Sequence, residues 1–143
     1  MHYLTVQDVI WIHLQITKNQ EAFSFANLEE ATSYQYAYGK SHDVLAQAAR
    51  FVPGFVAKSP FATGNRAVAF ASGIVFLELN GLHFNPNAKD LVDWFGQASN
   101  PTTSRASIES AIEKNPGIHH ATARTVAEAV IAQYEATIKK LLE

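Results

Sequence analysis

The sequence contains no cysteine, and this absence excludes a disulfide framework, a thiolate zinc site and a cysteine nucleophile. Charged residues make up only 17% of the chain, below the usual share of about a quarter. The net charge of −2 supplies no overall positive field, so we expect no nucleic-acid partner.

Long apolar runs are also missing. No window reaches the ~20 consecutive apolar residues of a membrane-spanning helix, and we expect no membrane partner. The start, Met1-His2-Tyr3, lacks the basic segment and long apolar stretch of a secretory signal. These features predict a soluble, cytoplasmic protein.

What the chain does have is helical periodicity over most of its 143 residues, 48% of which are hydrophobic. Its length fits one domain. We predict an all-α fold with helices over about 6–18, from near Asn27, 43–52, 67–79, 88–97, from 103 or 104 to about 115, and 121–142.

The predicted boundaries depend on local signals. Thr5 and Asp8 have the spacing of a capping box. Pro53-Gly54 is predicted to interrupt the third helix, because a proline inside a helix costs about 3 kcal/mol unless the helix kinks. Asn87 is the expected cap of the fifth helix. The alternation of Tyr34, Tyr36 and Tyr38 with smaller residues indicates a short strand or flap, or else ordinary packing.

The longest apolar run covers residues 67–79. Its length and its alanines favour a helix over a buried strand. Because it is apolar on nearly every side, we expect it to be the central buried helix, ended by Asn80-Gly81. A break at 99–101 divides a predicted core, 1–100, from a helical extension, 101–143, packed on the core or on a partner.

Several segments resemble the Doc, or death-on-curing, branch of the Fic/Doc (Fido) family. Tyr3-Leu4-Thr5-Val6 is similar to the Doc opening, and 27–31 is similar to its short second helix. Residues 74–81 follow the family's central-helix ending. The likeness covers roughly residues 3–98 and implies a Fic/Doc-like helical core with additional C-terminal helices.

The family motif reads His-Pro-Phe-x-Asp/Glu-Gly-Asn-Gly-Arg, with Asn-Lys-Arg at its end in Doc-type proteins. The nine residues at this place here are Ser59, Pro60, Phe61, Ala62, Thr63, Gly64, Asn65, Arg66 and Ala67. Four of them match the motif, and Arg66 keeps the positive charge of the Doc lysine. Pro60 and Phe61 are expected to pack the motif.

Three positions depart from the motif. Ser59 stands in place of the general-base histidine, and a serine hydroxyl does not accept a proton near neutral pH. Thr63 replaces the carboxylate associated with Mg²⁺, a cation that prefers charged oxygen ligands. Ala67 replaces the arginine that holds phosphate. These losses predict that little of the family's reaction remains, so we lean towards a protein that is not an enzyme.

The part that remains is an anion cradle formed by Gly64, Asn65 and Arg66 at the start of the central helix. Asn65 also suits a loop-shaping role, because asparagine tolerates unusual backbone angles. The resemblance implies a ligand such as ATP or another nucleotide, together with Mg²⁺. The residues themselves predict no metal site, since the adjacent His119 and His120 point about 100° apart on a helix.

Three functions stay open. The first is a catalytically degenerate Fic/Doc homologue related to toxin–antitoxin systems, with a cleft for phosphate, nucleotide or protein. The second is an active transferase that moves a phosphoryl or AMP group to a protein hydroxyl through a rewired site. The third is an oligomerising interaction domain without a ligand. The implied partners are a target protein, an antitoxin or a second copy of the chain.

Other residues are candidates for a rewired site. Lys58 is an alternative base only if it loses its proton, and His42 only if the fold carries it to the loop. Thr17 and Glu21 have the spacing of the family's inhibitory motif, but Ala22 follows, and we interpret the match as chance. The extension from 102 onwards is a candidate internal cover for the site.

Overall fold

The computed structural model describes residues 1–114 and 122–142, and within these ranges the chain is mostly helical, with a small two-stranded sheet. His119, His120 and the predicted start of the final helix at 121 therefore lie outside the described residues. The helices are α1 (Val6–Thr17), α2 (Phe25–Ser33), α3 (Val44–Lys58), α4 (Asn65–Leu79), α5 (Leu91–Ala98), α6 (Ser104–Glu109), α7 (Ala123–Gln133) and α8 (Glu135–Leu142), and the strands are β1 (Leu82–Phe84) and β2 (Ile112–Lys114).

Helix α4 forms the centre of the molecule, as its apolar run predicts. Every residue from Ala67 to Leu79 is buried. The helix packs against α1, α3, α7 and α8, so it has protein on nearly all sides. Gly73 allows the close approach of α3, because a Cβ at this position would lie 2.7 Å from Cγ2 of Val52.

The predicted break at Pro53-Gly54 is wrong. Helix α3 continues through both residues to Lys58. Pro53 is buried within the helix, and the surrounding contacts offset the lost hydrogen bond. Gly54 accommodates the ring of Tyr34, which a Cβ there would overlap. The tertiary packing therefore outweighs the local preference for a break.

Tyr34, Tyr36 and Tyr38 do not form a strand in the structure. Residues Tyr34–Tyr36 form a 3₁₀ turn that continues α2, and Ala37 follows in the left-handed conformation with φ of 43°. The side chain of the buried Gln35 fixes this turn by bonding Leu4: its Oε1 accepts from Leu4 N at 2.8 Å, and its Nε2 donates to Leu4 O at 2.7 Å.

Four further boundaries differ from expectation. Helix α5 starts at Leu91, with Asp90 rather than Asn87 as its cap. Helix α6 ends at Glu109, and β2 occupies the end of the helix predicted to reach about 115. The final predicted helix is divided at Tyr134 into α7 and α8. The second helix begins at Phe25, two positions before the expected start.

The two strands pair antiparallel, with Leu82 opposite Lys114 and Phe84 opposite Ile112. Glu78 closes the turn between α4 and β1, since its Oε2 accepts from Phe84 N at 3.0 Å and lies 2.9 Å from Nδ1 of His83. The residues beyond 101 pack on the rest of the domain. Helix α6 contacts α3, helices α7 and α8 contact α4, and β2 pairs with β1.

The longest helices in the described part are α3 and α4, with 15 residues each, and neither has the length and apolar character that a membrane crossing requires.

Candidate functional site

The motif loop, residues 59–64, connects the end of α3 to the start of α4. Ser59 is the C-cap of α3 and has a left-handed backbone with φ of 46°. Its hydroxyl donates to Val56 O at 2.7 Å, and its N–H donates to Phe55 O at 3.0 Å. Ser59, at the position of the family's general base, therefore caps the C-terminal end of α3.

Asn65 fixes the shape of the motif loop. Its Nδ2 donates to Phe61 O at 2.8 Å, and its Oδ1 accepts from Phe61 N at 3.0 Å. Both ends of the carboxamide are thus bound to one backbone unit, while Phe61 itself is buried and anchors the loop in the core. This arrangement supports the loop-shaping role and leaves the side chain of Asn65 little capacity to bind a ligand.

The start of α4 has no side-chain cap. Gly64 is the N-cap, with φ of 81°, and no acidic residue lies in the first turn. A Cβ on Gly64 would lie 3.0 Å from Cγ2 of Thr17 and 3.4 Å from Cδ2 of Leu142. Helices α1 and α8 therefore both reach this junction.

Arg66 lies in the first turn of α4, is exposed, and extends towards α5. Its guanidinium lies 5.8 Å from the centre of the Phe95 ring. It lines an open depression of about 800 Å³ that also includes Lys89, Asp90 and Trp94. Asp90 is already engaged as the cap of α5, since its carboxylate accepts from Val92 N at 3.0 Å.

Two residues that the sequence did not assign to the site, His13 and Glu21, hold the motif loop from the other side through Thr63. Nε2 of His13 lies 2.9 Å from Oε1 of Glu21 and 3.2 Å from the carbonyl oxygen of Thr63. Both neighbours accept hydrogen bonds, so Nε2 carries the hydrogen. Thr63 donates to Glu21 from its N–H at 2.9 Å and from its hydroxyl at 3.0 Å.

The charge of Glu21 is stabilised in this network. Burial raises the pKa of its carboxyl, but the hydrogen bonds from Thr63 and His13 outweigh burial and hold the pKa below the usual value. The motif loop therefore already binds one anion, the carboxylate of Glu21 in the same chain. The Thr17–Glu21 spacing was the signal that could have indicated this residue, whereas His13 gave only the apolar spacing of α1.

A short extended segment runs beside the motif loop. Phe23 and Phe61 form an isolated antiparallel bridge, and Ser24 N donates to Pro60 O at 3.1 Å. The Phe61 ring also stacks on His13, with centres 3.9 Å apart. Phe23 and Phe25 are 37% and 55% exposed, so two large apolar side chains lie next to the loop.

The structure makes neither alternative base available at the motif loop. His42 precedes α3 and Ser59 follows it, and a 15-residue helix separates two such positions by about 22 Å. Lys58 forms an ion pair with Glu30, and this hydrogen bond raises the pKa of the lysine. Ala67 is fully buried. Among the described residues, no three His, Asp or Glu side chains form a group that could hold a metal ion.

The geometry therefore defines a mostly helical domain with a braced loop, an uncapped helix start and an exposed arginine beside it. Comparison of the chain with protein-family models, with curated proteins and with solved structures gives no match.

Proposed function

We propose that this chain is a catalytically degenerate Fic/Doc-like domain that binds a phosphate or nucleotide at the start of α4. The observation that carries the proposal is the first turn of α4, where an uncapped Gly64 is followed by Arg66 and no acidic residue is present. A cation is unfavourable at this end of a helix unless an anion lies nearby. Free N–H groups and Arg66 together would supply that anion with its partners.

The surroundings of Ser59 and Thr63 support binding rather than group transfer. The hydroxyl of Ser59 donates within its own helix, and both polar groups of Thr63 donate to Glu21. An attacking hydroxyl needs a proton acceptor, and neither residue supplies one near neutral pH. A homologue of this kind would act as a regulator or relic of a toxin–antitoxin system.

The test is a calorimetric or NMR titration of the full chain with inorganic phosphate, AMP, ADP and ATP, with and without Mg²⁺. We expect measurable binding, weakened about tenfold or more by Arg66→Ala, because hydrogen bonds to charged groups contribute about 1.5–3 kcal/mol. The exposed Lys140→Ala on α8 is the charge-matched control and should bind as the wild type does. An absence of any shift at millimolar ligand would contradict the proposal.

The active-transferase alternative predicts a different result. If the site is rewired, incubation with labelled ATP and cell extract should transfer label to a protein, and the label should vanish with Arg66→Ala. Binding without transfer supports the degenerate homologue instead.

A second candidate function is protein binding beside the motif loop, which the exposed Phe23 and Phe25 favour. Aromatic residues are enriched at protein interfaces, and the partner would be an antitoxin, a target protein or a second copy. Size-exclusion chromatography over a range of concentrations tests the last case. A dimer in the wild type that Phe25→Ser abolishes would support it, and a monomer at every concentration would exclude a second copy.

A further inference from the structure

A second polar and aromatic surface lies away from the motif loop, on the outer side of α3. We call it the tyrosine–arginine patch; it consists of Tyr34, Tyr38, Lys40, Arg50 and Arg105. Two depressions of about 450 and 410 Å³ lie here, and both include Lys40 and Arg50 in their linings. Tyr34 and Tyr38 line the first, while Arg105 lines the second.

Tyr38 has the properties of a stacking platform. It is 89% exposed, which is unusual for an aromatic residue in a folded domain. Its ring stacks on the Tyr36 ring, with ring centres 6.2 Å apart. The centre of the Tyr36 ring in turn lies 4.5 Å from the centre of the Tyr3 ring. The Tyr38 ring therefore has one aromatic neighbour, and its high exposure leaves it accessible to a planar ligand.

Arg50 is held in place over a second ring. Its guanidinium carbon lies 5.1 Å from the centre of the Tyr34 ring, and that ring is packed against Gly54. Stacking of this kind restricts the side chain while leaving its N–H groups able to donate to an oxyanion.

The charge of the patch is opposite to that of the whole chain. Lys40, Arg50 and Arg105 contribute three cations, whereas the net charge of the protein is −2. Arg105 pairs with Asp43, and Glu30 in the first depression pairs with Lys58. In the part of the chain that the structure describes, no carboxylate forms an ion pair with Lys40 or Arg50, although Asp43 lies near enough to Lys40 for the lysine to help lower the pKa of that carboxyl.

We propose that the tyrosine–arginine patch binds a nucleoside phosphate, with the base stacked on Tyr38 and the phosphate bound by Lys40 and Arg50. Base stacking on an aromatic side chain contributes about 1–3 kcal/mol, and arginine binds phosphate oxygens in a bidentate manner. A depression of about 450 Å³ lies in the usual range for small-molecule sites. An acidic peptide would satisfy the cations but would make no particular use of the open tyrosine ring.

The same chemistry has two possible sources, a free nucleotide or one unit of a single strand. The second depression, beyond Arg50, is lined by Pro53, Gly54 and Arg105 and offers room for a neighbouring unit. This patch does not depend on the proposed site at the start of α4, since Arg66 lines a different depression beside α5.

The experiment titrates the full chain, followed by NMR, with AMP, adenosine, inorganic phosphate and a single-stranded RNA tetranucleotide. We expect AMP to bind more tightly than adenosine or phosphate alone, because it uses both the ring and the cations. Tyr38→Leu and Arg50→Gln should each weaken AMP about tenfold, from the stacking and charge-assisted contacts. Tyr38→Phe should retain the affinity, and Lys140→Ala should match the wild type.

Each remaining outcome decides the proposal. A tetranucleotide that binds at least tenfold more tightly than AMP assigns the single strand as the source, and any smaller difference assigns the free nucleotide. Loss of AMP binding with Arg66→Ala but not with Tyr38→Leu would place the nucleotide at α4 and overturn the proposal. An absence of AMP binding would also overturn it, and binding of hexaglutamate, titrated in the same way, would then favour an acidic protein partner.

Discussion

At the scale of single residues, the carboxylate of Glu21 connects two segments that are distant in the chain. It accepts two hydrogen bonds from Thr63, which is 42 positions away, and a third from His13. Hydrogen bonds to a charged group are stronger than neutral ones. Glu21 therefore holds the motif loop against α1 more firmly than an uncharged side chain would.

We predict that Glu21→Gln destabilises the protein by about 1 kcal/mol at pH 7, because the neutral amide accepts weaker bonds. The lowered folded-state pKa of Glu21 sets the sign of the pH dependence. Its contribution is present above the unfolded value near 4.5 and is lost as the pH falls through the folded value. Urea unfolding at pH 7, 4 and 3 should show the gap between wild type and variant narrowing towards acid.

The control for this prediction is Glu29→Gln, a change at an exposed carboxylate on α2. It should leave the free energy of unfolding nearly unchanged at all three pH values. A gap between wild type and Glu21→Gln that stays constant down to pH 3 would mean that the charge of Glu21 does not hold the loop.

Gly64 gives a second prediction at this scale. Its φ of 81° is unfavourable for residues with a Cβ, and that Cβ would lie 3.0 Å from Thr17. We expect Gly64→Ala to lower the free energy of unfolding by about 2 kcal/mol, measured by urea denaturation. Gly39→Ala has a similar φ of 90° but no atom within 4 Å, so it should cost only the conformational part, about 1 kcal/mol. Equal losses would show that the contact with Thr17 is unimportant.

The sequence predicted part of the residue-scale structure. The capping box is present, with Asp8 N donating to Thr5 Oγ1 at 3.0 Å. Such signals are local, and they work because the interacting residues are three positions apart. The contact between His13 and Thr63 spans 50 positions, and no local pattern carries that information.

At the scale of elements, the crossing of α3 and α4 depends on a missing side chain. A Cβ on Gly73 would lie 2.7 Å from Val52, so Gly73→Ala must push the two helices apart or displace the valine. We predict a loss of about 1–3 kcal/mol in thermal or urea unfolding, as for other overpacked cores. Adding Val52→Ala should recover part of that loss, because it removes the clashing methyl groups.

Gly96→Ala in α5 is the matched control, because nothing lies within 4 Å of the Cβ it would add. Alanine is the better helix former by about 1 kcal/mol, so this change should stabilise the protein. If Gly73→Ala had the same stabilising effect, the close approach of α3 and α4 would be refuted.

Element boundaries show where local preference stops deciding. The apolar run of α4 was sufficient to predict its place, since a helix apolar on all sides has to be buried. The break predicted at Pro53 is absent, because the burial of Pro53 and the packing of Tyr34 on Gly54 keep α3 continuous. Asn87 and Asp90 are both cap-forming residues, and only the tertiary position of α5 selects the second. Strands of three residues are too short to give a pattern.

At the scale of the whole molecule, the C-terminal helices belong to the surroundings of α4. Four side chains of α7 and α8 are buried, namely those of Ala127, Val130, Ile138 and Leu141. Leu142 lies beside Gly64, at the start of α4. The extension therefore both covers the central helix and reaches the proposed anion site.

We predict that a chain ending at residue 114 loses cooperative folding. Burying one valine, leucine or isoleucine contributes about 1.5–3 kcal/mol, so three of them contribute about 5 kcal/mol or more. That equals the lower end of the total stability of a typical domain, about 5–15 kcal/mol. Circular dichroism during heating should show a broad transition or none, and size-exclusion chromatography should show aggregates where the full chain elutes as one species.

Point variants separate the loss of these contacts from the loss of length. Ile138→Asp in the full chain places a charge in the same interface and should lower the melting temperature by several degrees, since about 1 kcal/mol shifts it by roughly 2–8 °C in a domain of this size. Lys140→Ala, on the exposed side of the same helix, should have little effect. If the shortened chain instead unfolds cooperatively at the midpoint of the full chain, α7 and α8 are an appendage, and the start of α4 does not need them.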